Sequence, residues 1–154
     1  MQPEVKQNGC NIYFKHFKMK PIYLTLLFLS MFTTPITMAQ NSSPEQIVQQ
    51  NLDYYNNRDI EGFMRCFSED IAIYSFADHT LTAKGLDEVR KLYTALFESS
   101  PTLHSTIVKR IVFDNKVIDH ESIVGRKGSA DILELVLIYE VKNDKIYKIT
   151  VIRK

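Results

Sequence analysis

Asp119 and Glu121 are the residues of this 154-residue chain whose type and spacing best suit chemistry. They stand two apart in the alternating stretch Val117 to Val124, so as a strand they share one face. If that face lines a confined space, the two carboxylates repel. Repulsion then raises the proton affinity of one of them towards general acid/base use. The opposite arrangement stays open, with this face in solvent and His120 turned inward. His104, on the preceding stretch, is a candidate acid. The two-residue turn Asp114-Asn115 sets it opposite the far end of Lys116 to Val124, away from Asp119. A partner for it would have to come from elsewhere, such as Tyr55 or Tyr93.

Eight tyrosines are many for a chain of this size. An aromatic ring with a polar tip suits a mostly apolar pocket with a few orienting hydroxyls. Tyr55, Tyr93 and Tyr139 are expected to reach such a cavity, and Tyr54 and Tyr74 to pack or form its rim. His104, His120, Asp119 and Glu121 have no metal-ligand spacing, so no metal is expected. No nucleophile motif, phosphate loop or dinucleotide fingerprint is present, and no cofactor is expected. His79, beside Asp78, reads as a surface loop residue. The basic run of Lys142, Lys145, Lys148, Arg153 and Lys154 interleaves with Glu140 and Asp144 and reads as a solvated face.

The elements that must position these groups follow a leader. Lys15, Lys18 and Lys20 precede an apolar stretch, Ile22 to Phe32, and Thr37-Met38-Ala39 presents small residues for cleavage. That pattern predicts an export signal starting at Met19 and cut after Ala39. About eleven residues are too few to span a bilayer, which takes roughly twenty. Residues 1–39 are thus an upstream extension and signal, and 40–154 one domain, exported and free of the membrane after cleavage. The full chain has 19 Lys+Arg and 18 Asp+Glu. Removing Lys6, Lys15, Lys18, Lys20 and Glu4 leaves 15 and 17, a formal charge of −2. No basic excess remains for phosphates, so nucleic acid is not an expected partner. Cys10 leaves with the leader, and Cys66 is then a lone, buried structural thiol.

Within the domain, Ser43-Pro44-Glu45-Gln46 is a helix start with a capping box. Asn56-Asn57-Arg58 ends that helix, and Asp59 caps a second with Ile60, Phe63, Met64 and Phe67 on one face. Ser68-Glu69-Asp70 is read as a turn into a strand, Ile71 to Phe76, followed by a loop, 77–80. A third helix follows Gly85. Strands are then expected over 103–113, 116–124, 131–141 and 145–152, with turns at Asp114-Asn115, 125–129 and Asn143-Asp144. Helices first and a meander last is an α+β order, with the helices on one face of a curved antiparallel sheet. Ile132 to Val141 is apolar on both faces, which predicts a homodimer through the outer sheet face.

This layout resembles the nuclear transport factor 2-like superfamily in its SnoaL-like branch. The resemblance rests on Arg58-Asp59-Ile60-Glu61-Gly62-Phe63, Phe67-Ser68-Glu69-Asp70 and Val117-Ile118-Asp119-His120-Glu121, and covers nearly all of 44–153. It implies an α+β cone of three N-terminal helices packed on a curved antiparallel sheet. The superfamily's ketosteroid isomerases use an aspartate base with a tyrosine and a protonated aspartate as donors. Alignment puts Ser75 at the base position, Asn51 at the tyrosine and Leu137 near the second aspartate. Only Tyr93 matches, at a supporting position. A serine hydroxyl cannot serve as that base, so the isomerase mechanism is not expected. The implied cavity would be lined by Tyr55, Ser75, Tyr93, His120, Leu137 and Tyr139. The expected function is binding of a small, largely apolar molecule. The alternatives are a cofactor-independent lyase, isomerase or hydrolase using Asp119 or Glu121 as base, and a dimeric protein-association module.

Overall fold

The computed structural model describes residues 42–154, and the expected leader lies outside them. Helix α1 (Pro44–Asn57) begins as the capping box requires: the Ser43 hydroxyl accepts from the Gln46 amide, and the Gln46 side chain accepts from Ser43 N–H. Arg58, at φ 55°, closes it in the left-handed conformation. Asp59 then caps the short α2 (Ile60–Arg65) by accepting from Gly62 N–H at 2.9 Å. Helix α3 (Gly85–Glu98) carries Asp87 and Glu88 in its first turn, where the helix dipole favours them.

Six strands make one sheet: β1 (Phe67–Ser75), β2 (Leu81–Lys84), β3 (His104–Phe113), β4 (Lys116–Val124), β5 (Leu133–Lys142) and β6 (Lys145–Arg153), in the order β2-β1-β6-β5-β4-β3. All neighbours are antiparallel except β1 and β6. Three helices on a curved, open sheet form the cone. Asn143 and Asp144 both take positive φ, which matches the twist of a tight β-hairpin and joins β5 to β6.

Three sequence expectations are corrected. Phe67 opens β1 instead of continuing α2, and 68–70 lie in that strand with an irregular register, not in a turn. Leu81–Lys84 is an edge strand that the sequence reading passes over. The sheet is mixed, because β1 runs parallel to β6.

The core lies between the helices and the inner sheet face. Phe63 is its hub, with ring centroids 4.4 Å from Tyr93, 4.9 Å from Phe67 and 5.7 Å from Phe97. Full burial of such a ring contributes about 1.5–3 kcal/mol. Cys66 is buried there, its thiol pushed up chiefly by that burial.

Candidate functional site

Burial alternates along β4, with Val117, Asp119, Glu121 and Ile123 inside. The carboxylate face is therefore the inner one. His120 is on the outer face, 3.8 Å from Glu134, and not on the cavity wall as expected. His104, at the start of β3, is exposed opposite Val124 and is likewise off the cavity.

The inner face and the helices enclose a cavity of about 760 Å³. Its body is apolar: Leu52 and Phe63 from the helices, Ile73 from β1, Leu135 and Leu137 from β5, Ile149 and Val151 from β6. Tyr55, Tyr93 and Tyr139 line it, as does Ser75 at the end of β1. Asn51 is 3% exposed on the same wall, and its Nδ2 has no hydrogen-bond partner among the described residues. Asn51, Ser75 and Leu137 thus share one space and bring no carboxylate to it.

Among the described residues, Glu121 is the one carboxylate on that wall. Ser105 Oγ donates to its Oε2 at 2.6 Å, and the Tyr139 hydroxyl donates to its Oε1 at 3.3 Å. Burial is the largest influence on Glu121 and raises its proton affinity. The Ser105 bond opposes this, repulsion from Asp119 adds to it, and the Tyr139 bond and Arg110 lower it. The predicted repulsion is therefore present but smaller than desolvation. Burial also lifts Tyr93 to about 12 and Tyr55 higher still, with Glu121 adding to both. Burial raises Tyr139 as well, so the three phenols stay protonated at neutral pH and can donate.

Asp119 is corrected as a candidate base. Its carboxylate is wholly buried but lies outside the cavity wall, in a two-pronged pair with Arg110. Nε and Nη2 of Arg110 reach Oδ1 and Oδ2 at 2.7 Å each, and Nη1 donates to Gln49 Oε1 at 2.9 Å. Both oxygens are held by a cation and the group is off the cavity wall, so it neutralises an arginine and has no reach to a ligand.

The raised proton affinity of Glu121 sets a pH dependence. Its native form binds the proton more tightly than the unfolded chain does. Stability is thus lost as pH rises from the unfolded carboxyl value, about 4.3, through the higher native one. Glu121→Gln should therefore melt a few degrees above the parent at pH 8, with no advantage at pH 4. Thermal melts at the two pH values read this, and a parent at least as stable at pH 8 would show that the charge carries no burial cost.

Sequence reasoning missed Ser105, Arg126, Lys127 and Arg153, the last three on the cavity wall. Arg153 belongs to the basic run read as solvated. Its neighbours fit that reading, since Lys148 pairs with Glu140 and Lys154 with Glu134.

A model of the SnoaL-like domain matches residues 48–149, about two thirds of the chain. The chain belongs to the SnoaL-like family. Solved structures similar to this SnoaL-like protein share its fold. An uncharacterised cystatin-fold protein from Novosphingobium aromaticivorans is 19% identical, with TM-score 0.66 over 73% of this chain and 99% of its own. A nuclear transport factor 2-like protein of unknown function from Cytophaga hutchinsonii is 11% identical, with TM-score 0.62 over 76% and 95%. A protein of ketosteroid isomerase-like fold from Catenulispora acidiphila, in complex with trimethylamine, is 15% identical, with TM-score 0.59 over 71% and 85%. Identities this low carry the fold and not the activity. No curated protein matches the sequence. Among the described residues of this SnoaL-like domain, no group of three or more His, Cys, Asp or Glu is placed to hold a metal ion.

Proposed function

We propose that the protein is exported and holds a small, largely apolar molecule in the cone cavity. The cavity carries this reading: about 760 Å³, apolar in its body, with a few hydroxyls, one amide donor and one carboxylate inside. Small-molecule sites are typically ~300–1,000 Å³ and built in this way. An association module would have no use for a space left unfilled by side chains.

A second reading, proton transfer on the bound molecule, is favoured by Glu121. A carboxylate raised by burial and held by Ser105 and Tyr139 suits a general base. It would take a proton from the ligand, while Tyr55 or Tyr93 donates to the oxygen that gains charge. Titration of Glu121 in the ordinary carboxylate range would remove this second reading.

The domain is also proposed to pair with a second copy through the outer sheet face. Ile111, Ile118, Ile138 and Thr150 form a row across β3 to β6 on that face, with Val136 and Ile152 in the next row. His120, Glu134 and Lys148 flank it. An apolar strip with a polar rim is the usual anatomy of such a contact.

Native mass spectrometry of the exported protein tests these points together. The expected species is a dimer of chains starting at Gln40 that carries a bound mass of a few hundred daltons. A start well upstream of Gln40 would remove export by the proposed signal, and a monomer at micromolar concentration would remove the dimer. Protein that carries no ligand and takes up none of a panel of apolar probes would remove the binding reading.

A further inference from the structure

We infer that the cavity ligand is an organic anion, its apolar body inside the cone and its anionic group held at the mouth by Arg126 and Arg153. The inference rests on the ligand-binding reading and names the class of molecule that the same site takes.

The chain has six arginines. Four are occupied within the domain. Arg58 donates to the Leu103 carbonyl at 3.3 Å, and Arg65 sits 5.7 Å over the Tyr54 ring. Arg90 pairs with Glu61, and Arg110 with Asp119. The other two, Arg126 and Arg153, make no side-chain hydrogen bond or ion pair among the described residues, and both line the cavity. Unpaired guanidinium groups are ordinary on an open surface. Here the two without partners among the described residues both stand on the lining of one cavity, Arg126 half-buried and Arg153 exposed.

They reach it from different elements. Arg126 stands in the β4–β5 turn. Arg153 is at the end of β6, opposite Leu135 of β5. Both act on the same phenol, Tyr93, where they oppose the effects of burial and of Glu121. The turn bearing Arg126 is fixed: Lys127 N–H donates to Ser100 Oγ at 2.8 Å, and Gly125 packs against Thr102. Arg126 is therefore presented by a braced turn at the C-terminal end of α3.

Charge decides the class of ligand. The wall carries Arg126, Lys127 and Arg153 against the single carboxylate of Glu121, whose ionisation burial opposes. A cation would meet net repulsion at the mouth, and a neutral molecule could accept a hydrogen bond from an arginine but bring no charge to match it. A carboxylate accepts two parallel N–H bonds from a guanidinium, the strongest ordinary pairing available there. The same lining also carries open apolar side chains, with Phe76 49% and Leu92 44% exposed. An amphipathic acid matches a lining that offers both.

Calorimetry of the full domain with decanoate, decanol and decyltrimethylammonium tests this, because the three share one tail. Decanoate should bind about tenfold or more tighter than decanol, the factor expected of hydrogen bonds to a charged group. The margin should shrink as salt rises. In the double variant Arg126→Gln/Arg153→Gln the preference for decanoate should disappear. Equal binding of decanoate and decanol, a preference for decyltrimethylammonium, or an unchanged preference in the double variant would overturn the anion assignment and leave the apolar-ligand reading standing. Binding of none of the three would overturn both.

Discussion

Replacing Arg110 with alanine is expected to remove about 3–5 kcal/mol of folding stability. The reason lies with the partner left behind. Asp119 is wholly buried, and both of its oxygens take their charge-assisted bonds from Arg110. Without the guanidinium, a carboxylate remains in the core with no compensating charge. Gln49 loses the Nη1–H donor as well. Single domains have only about 5–15 kcal/mol in total, so the variant should be close to its unfolding threshold at 37 °C. Urea unfolding should show the midpoint falling sharply. The double variant Arg110→Leu/Asp119→Leu should recover much of the loss, because an apolar pair removes the stranded charge. If the Arg110→Ala midpoint hardly moves, Asp119 is not committed to that pair and returns as a candidate base.

The second large effect is expected at Gly125, the residue before Arg126. Its φ is +70°, a conformation that disfavours any side chain by about 1–2 kcal/mol. A Cβ there would also overlap the Thr102 carbonyl and hydroxyl, and forced overpacking costs about 1–3 kcal/mol. Gly125→Ala should therefore lose about 2–5 kcal/mol. Gly128 in the same turn separates the two terms. Its φ is +71°, but nothing stands within 4 Å of a Cβ placed there. Gly128→Ala should lose only the conformational part, and chemical denaturation of the pair measures the difference. Equal losses would mean that the turn yields at Thr102 and is not braced against it.

Much of the fold is legible because its signals are local. The capping box at Ser43, the cap at Asp59 and the turn at Asn143-Asp144 each depend on residues within a few positions. Phe67 is misread for the opposite reason. Its spacing from Ile60 continues a helical stripe, but its strand partner is Ile146, far away in sequence. The edge strand Leu81–Lys84 shows only Ala83 to the core, too little for a periodic signal. At the site, counting back from the Asp114-Asn115 turn puts Arg110 opposite Asp119, so that pair is encoded in the register. Ser105 is not, because an irregularity between Ile107 and Lys109 shifts the register before Glu121 is reached. Arg153 looks like one more solvent-facing base until the sheet turns it towards the cavity.

The parallel contact between β1 and β6 also governs the order in which the molecule can assemble. The hairpins β3–β4 and β5–β6 close over two-residue turns, at small entropic cost. Among the described residues, strand β1 pairs only with β2 and β6, and its partners in β6, such as Ile149 for Ile73, are more than seventy positions away. Long loops cost entropy before their contacts compensate, so non-local pairing is the slow step in sheet proteins. Strands β1 and β2 are thus joined to the other strands through the last strand described. Until β6 is made and in place, the cone has one wall without the other, and the cavity does not exist.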